Sequence, residues 1–216
     1  MIKKENFNIA IVGLGNIGLS LLKHLNQNKN SIIKKNNVNF DVKYVSAKNK
    51  NKKRKISIPK KKWLSNYLKA STSKDIDIVV ELIGGSEGPA KKLVFNSIKN
   101  KKHVVTANKS LISKYGDKLA LLAEKNKVNI EYEAAVAGGI PIIKTIKNNI
   151  FLNKINKISG ILNGTTNYIL TTMESENKSF EEVLADAKQK GFTSDHESKL
   201  DIGGYDAAHK LTLLTS

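Results

Sequence analysis

The stretch from Asn8 to Gly18, NIAIVGLGNIG, constrains this chain more than any other part of it. Asn8 to Val12 is a short, mostly apolar run, the profile of a first buried parallel strand. Gly13, Gly15 and Gly18 come next as G-x-G-x-x-G, and Leu19, Leu21, Leu22 and Leu25 then continue on one helical face. Strand, glycine turn and helix in that order make a dinucleotide-binding fingerprint. Gly13 permits the tight turn, Gly15 lets the backbone approach a pyrophosphate, and Gly18 lets helix and strand pack closely. The helix start offers unpaired N–H groups and a positive dipole end to phosphates. Gly13, Leu14, Gly15, Asn16, Ile17 and Gly18 are therefore the first candidate cofactor contacts.

The same alternation of strand and helix continues along the chain. Phe40 to Ala47 alternates apolar and polar and reads as a second strand. Trp63 to Lys69 is a short helix candidate, after an exposed basic linker. Asp75 to Gly85, DIDIVVELIGG, reads as a buried strand with a glycine stop. Pro89 opens a helix through about Asn100, His103 to Asn108 is another strand, and Ser110 to Asn126 is an amphipathic helix. Asn129 to Val136 is a further strand. Strands alternating with helices imply right-handed crossovers and a doubly wound parallel sheet, an α/β fold of Rossmann type. The character changes after Pro141. Ile142 to Ile150 is a short helix candidate and Lys154 to Asn163 a strand. The polar turn Gly164-Thr165-Thr166-Asn167 leads into a helix from Tyr168. Ser179 with Glu182 forms a capping box for a helix through Lys190, stopped by Gly191. Asp206 to Leu214 is a last amphipathic helix.

Composition narrows the class. The 216 residues contain no cysteine, which removes disulfides and thiolate chemistry and fits a cytoplasmic protein. No apolar run approaches the roughly 18 residues of a membrane span, and the apolar part of MIKKENFNIAIV is too short for a signal peptide. A formal charge of +18 raises nucleic acid as a partner. The lysines, however, are spread along the chain with asparagine and isoleucine. Only Lys48 to Lys62 is dense, and it lacks the interleaved aromatics on which bases stack, which argues against nucleic acid.

A NAD-selective fold carries Asp or Glu at the end of its second strand to hold the ribose 2′-OH. Lys48 and Asn49 stand there instead, and a cation suits the 2′-phosphate of NADP, with NAD still possible. Lys109, in TANK, lies just past the carboxyl end of a strand, where ligands of open α/β sheets bind. Asp206 and Lys210 are neighbours at i and i+4 on one helix face. His196 and His209 are spaced wrongly for a helical zinc motif, and neither G-x-S-x-G nor a P-loop occurs.

VGLGNIG, VVELIGG, TANK, EAAVAGGIPII, ILNGTTNYIL and the tail GF…LDIGGYDAAHKL, in this order and spacing, resemble homoserine dehydrogenase over nearly the whole chain. The resemblance implies interconversion of L-homoserine and L-aspartate 4-semialdehyde with NAD(P), in threonine and methionine biosynthesis. It implies a Rossmann domain over residues 1–136, with Thr106 and Lys109 at the cofactor. Residues 137–216 would be part of a mixed α/β substrate-binding and dimerisation domain, with a homodimer as the complete protein. Lys210 resembles the proton-transferring lysine, and Lys109 a second active-site lysine. Asp206 resembles a substrate-orienting carboxylate, and Gly164 and Thr165 part of the substrate pocket. Glu133, Val136, Gly138 and Ile140 resemble a monovalent-cation site of Na+ or K+ type, built largely of carbonyl oxygens suited to a hard cation. Two departures stand out. GFTSDHESKLD lacks the proline usual in the family and has one residue more than its commonest spacing. Counting back from Lys210 puts Asp195 where the substrate-binding Glu should be; counting forward from Gly191 puts Ser194 there. Asp195 keeps a carboxylate for the substrate ammonium. The family's catalytic part also continues well beyond DAAHKL, so the chain reads as a truncated piece.

Overall fold

A computed structural model describes residues 5–150 and 152–215. The chain divides into two compact units, Met1–Ala135 and Val136–Ser216.

The first unit is built on five parallel strands in the order β2-β1-β3-β4-β5. These are β1 (Glu5–Val12), β2 (Val38–Ser46), β3 (Ile78–Glu81), β4 (His103–Thr106) and β5 (Ile130–Glu131). Helices α1 (Asn16–Gln27), α2 (Lys29–Asn36), α3 (Lys69–Thr72), α4 (Pro89–Lys99) and α5 (Lys109–Asn126) connect them. Side chains alternate across β1 as a two-sided strand requires. Ile9 and Ile11 pack with Leu14 and Leu22 of the α1 side, whereas Ala10 and Val12 pack with Ala70, Ile76 and Leu93. Ile11 is wholly buried, which is worth about 1.5–3 kcal/mol to the fold. The chain leaves β1 toward β2 on one side and later returns through β3 on the other. The carboxyl ends of β1 and β3 therefore flank a topological switch point, where such sheets hold ligands.

Several elements differ from expectation. Trp63 does not start a helix. It bridges to Val45 beside a 3-10 turn at Lys60–Lys62, Leu64 N–H donates to the Val45 carbonyl, and α3 begins only at Lys69. The fifth strand is cut to Ile130–Glu131, because the chain turns into a 3-10 turn at Glu133–Ala135. Helix α2 carries no signal in the sequence: its KNSIIKKN has no continuous apolar stripe and no buried residue.

The second unit is helical among its described residues: α6 (Ile142–Asn149), α7 (Gly164–Glu176), α8 (Phe180–Gln189), α9 (Asp195–Ile202) and α10 (Tyr205–Thr215). Lys154 to Asn163 is not a strand. Its alternation mimics one, yet no described strand pairs with it, and Ile155 and Ile161 lie exposed. Gly164 to Asn167 belongs to α7 rather than to a turn, because the Asn163 side chain accepts from Thr166 N–H at 2.8 Å and caps the helix one turn earlier. The capping box of α8 forms as read, with Ser179 and Glu182 each bonding the other's backbone N–H. Ile169, Val183 and Ala187 make the core between α7 and α8.

Candidate functional site

The glycine turn between β1 and α1 shows three distinct environments. Gly13 has φ +107°, and a Cβ there would lie 2.2 Å from the Leu82 carbonyl oxygen. A Cβ on Gly18 would lie 2.0 Å from the Gly13 carbonyl oxygen. Both glycines are demanded by the protein itself. Gly15 is different: it is the N-cap of α1 at an ordinary φ of −78°, and nothing stands within 4 Å of where its Cβ would be. The absence of a side chain there leaves room over a helix start that carries no side-chain cap and no acidic residue in its first turn. That combination fits a pyrophosphate. Leu14 is buried beneath the turn, and Asn16 and Ile17 are exposed on it.

A cleft of about 740 Å³ runs along α1, lined on one wall by Gly15, Asn16 and Lys23 and on the other by Lys52, Lys53, Arg54 and Lys55. Arg54 is restrained: its guanidinium donates to the carbonyls of Asn49, Lys50 and Lys52 and lies over the Trp63 ring at 5.1 Å. Lys48 is exposed just past the end of β2 and does not line this cleft. The basic wall comes from the linker behind it, part of the dense Lys48 to Lys62 stretch, which the sequence shows as a charge cluster without assigning it a ligand.

At the ends of β3 and β4 lies a buried polar network. The Glu81 side chain, wholly buried, accepts from the N–H groups of Ile83 (2.7 Å) and Gly84 (3.0 Å) and from the Thr106 hydroxyl (2.6 Å). Thr106 in turn accepts from Asn108 N–H at 3.0 Å, and the Asn108 amide donates to the Gly85 carbonyl at 2.8 Å. Asn108 also caps α5 by accepting from Leu111 N–H. Lys109 is the first residue of α5, half-buried, so its position is set by this network. Thr106 is buried with its hydroxyl committed to Glu81.

In the second unit, residues distant in sequence converge. Lys210 Nζ pairs with Asp206 Oδ2 at 2.6 Å and donates to the Leu162 carbonyl at 2.6 Å, with only 20% and 8% of the two side chains exposed. The Asn163 amide donates to Asp206 at 3.0 Å and to Asp201 at 2.8 Å, and the Thr193 hydroxyl donates to Asp201 at 3.1 Å. Thr165 is buried beside this cluster, its hydroxyl on the Phe192 carbonyl, and Gly164 is exposed at the start of α7. Sequence reasoning misses Asn163 and Asp201 as site residues. Both flank motifs already singled out, Gly164-Thr165 and Asp206, but their contacts span 38 residues. Asp195 stands apart from the cluster: its side chain is 92% exposed and pairs with Lys188 at 2.7 Å, which lowers its pKa. Ser194 is exposed one residue before it.

The four residues of the expected cation loop fall on both sides of the division between units. Glu133 opens the 3-10 turn that ends the first. In the second, Val136 is buried, Gly138 and Ile140 are exposed, and Ile140 N–H closes a turn onto the Ala137 carbonyl. Among the described residues, no group of His, Cys, Asp and Glu could hold a metal ion, so any cation here would depend on carbonyl oxygens.

A parallel sheet with an open glycine turn at its switch point defines a dinucleotide-binding fold of Rossmann type, and the chain adds to it a unit with a buried lysine–aspartate pair. The sequence profile of the homoserine dehydrogenase NAD binding domain matches residues 13–133, and that of homoserine dehydrogenase matches residues 141–216. The chain belongs to the homoserine dehydrogenase family. The homoserine dehydrogenase of Synechocystis sp. is 41% identical over 96% of this chain and 47% of its own length. The crystal structure of a homoserine dehydrogenase from Thiobacillus denitrificans, 38% identical, superposes with a TM-score of 0.90 over 99% of this chain and 49% of that one. A hyperthermophilic archaeal homoserine dehydrogenase in complex with NADPH shares the fold, at a TM-score of 0.81 and 24% identity. The chain thus spans about half the length of the curated relatives it matches.

Proposed function

We propose that this chain supplies the cofactor-binding and substrate-facing parts of an NADP-preferring homoserine dehydrogenase. The protein interconverts L-homoserine and L-aspartate 4-semialdehyde, within threonine and methionine biosynthesis. The observation that carries the reading is the Asn163–Asp201–Asp206–Lys210 cluster: a lysine held in one place by a carboxylate and a carbonyl, inside a family that oxidises an alcohol.

Gly13 to Gly18 would hold the pyrophosphate at the start of α1, Lys48 and the basic wall of the cleft would take the 2′-phosphate, and Lys109 would serve the nicotinamide end. A nicotinamide held there would supply the hydride acceptor. The alcohol's proton must then go to a group already in reach, and Lys210 Nζ, acting as the neutral amine, takes it and becomes the ammonium; in the reverse direction the Lys210 ammonium returns it to the aldehyde oxygen. Asp206 fixes the amine's orientation and faces the substrate, as does Asp201. Gly164 leaves space for the substrate beside Thr165. Asp195 would hold the substrate ammonium only after giving up Lys188. Glu133, Val136, Gly138 and Ile140 would offer oxygens to Na+ or K+, and the complete protein would act as a cytoplasmic homodimer.

The exposed Asp195 favours one rival, a dinucleotide-binding remnant without turnover. The deciding assay is homoserine-dependent reduction of NADP by this chain. Turnover supports the dehydrogenase; tight NADPH binding with no turnover at saturating homoserine would leave the remnant.

A further inference from the structure

The polar network at the ends of β3 and β4 has a closed form. Glu81 grips Ile83 and Gly84 on its own loop and Thr106 on the next strand. Thr106 grips Asn108, and Asn108 returns to Gly85. Every donor in the ring ends on a carbonyl, a hydroxyl or the one carboxylate. A carboxylate so placed is costly unless every oxygen is used, and here three donors converge on it. The pairing of β3 with β1 and β4 is made by backbone groups and does not call for a carboxylate. The carboxylate instead does something only an acceptor can do: it ties one loop to another.

The strand order says what those loops face. The fingerprint places the pyrophosphate over the turn after β1 and the adenosine ribose toward β2. A dinucleotide crossing the strand ends in the order β2, β1, β3, β4 then puts its nicotinamide half over the loops that Glu81 joins. We infer that Glu81 is a positioning residue for the nicotinamide half of the cofactor, acting by fixing the 83–85 and 106–108 backbone and, through Asn108, the start of the helix that carries Lys109. This rests on the dinucleotide reading above. The adenosine half does not depend on Glu81, because Leu82 N–H keeps its own bond to the Val12 carbonyl at 2.8 Å and so still braces the glycine turn.

The test compares NADPH with 2′,5′-ADP, which lacks the nicotinamide half, by calorimetry on this chain. Glu81→Leu should weaken NADPH tenfold or more and leave 2′,5′-ADP within about twofold of wild type. Hydrogen exchange at the Ile83 and Gly84 amides should quicken in the same variant. Should Glu81→Leu fail to fold, Thr106→Val, which removes only the hydroxyl joining the two loops, should show the same split with an NADPH loss of threefold or more. Equal losses for both ligands in a folded variant, or no loss for either, would overturn the inference. A wild-type chain that binds neither ligand would instead overturn the dinucleotide reading.

Discussion

The three glycines of the turn differ in what they do, and substitution should separate them. Gly13→Ala puts a methyl group against the Leu82 carbonyl at a positive φ, so it should cost stability, about 1–3 kcal/mol from backbone strain alone. Gly15→Val meets open space and should leave the melting temperature nearly unchanged while abolishing NADPH binding by calorimetry. Normal cofactor binding by Gly15→Val would mean that the turn is only a turn. Lys210→Ala in the full-length protein should lower kcat roughly a hundredfold or more with cofactor affinity nearly unchanged, since it removes the proton acceptor and leaves the glycine turn alone. Lys109→Ala should also reduce turnover. Turnover within a few-fold of wild type for Lys210→Ala would reduce the Asp206 pair to a structural salt bridge. The Asp206–Lys210 pair is readable from spacing alone, because i,i+4 neighbours meet on any helix. Asn163, Asp201 and Glu81 are not. Their roles depend on which distant segments the fold brings together, and Glu81 in particular sits in a strand where only apolar neighbours give a signal.

Helix caps and ties make a second set of tests. Ser179→Ala should cost about 1 kcal/mol by removing the oxygen that caps α8. A denaturant midpoint shift at constant m would measure it, and no shift would mean that α8 does not need its cap. Helices α4 and α5 are tied through Glu87, which accepts from the Tyr115 hydroxyl and pairs with Lys91 and Lys114 at 2.9 Å each. The Tyr115 hydroxyl first, then the two lysines, hold the Glu87 carboxyl down at about 2, from an ordinary value near 4.5. A depressed carboxylate stabilises the fold above its unfolded pKa, and that contribution disappears as pH falls from about 4.5 through 2. Wild type should therefore melt higher than Glu87→Gln at neutral pH, and the gap should close toward pH 2; the side chain is 53% exposed, so the gap is small. A gap independent of pH would remove Glu87 from this role. The elements that read best from sequence are those with local signatures: Pro89 opening α4, the stripe of α5, the Ser179 box. Alternation fails at Lys154 to Asn163, because a strand needs a partner as well as a pattern. It also overruns at Asn129 to Val136. The polar helices α2 and α9 give no stripe to read, because KNSIIKKN and DHESKLDI hold too few apolar residues to form one.

The two units differ in how far the sequence reveals them. The first is nearly complete in the sequence, because a parallel sheet repeats its signals from strand to strand. The second is readable mainly through its motifs, being helices whose order along the chain says little about their packing. The proposed cofactor choice rests on the basic segment that follows β2. Wild type should bind NADP more tightly than NAD, and Lys48→Glu should narrow that preference; equal affinities unaffected by the change would refute the role of the basic segment. The cleft beside α1 has a further consequence. Lys23, Lys52, Lys53, Arg54 and Lys55 repel one another across it. Small anions from the surrounding medium will gather there, and an incoming dinucleotide must displace them. NADPH affinity should fall several-fold between about 20 mM and about 200 mM salt, and more steeply in inorganic phosphate than in chloride. An affinity measured in dilute buffer would then describe a cleft emptier than the one the protein carries in a salt-filled cell.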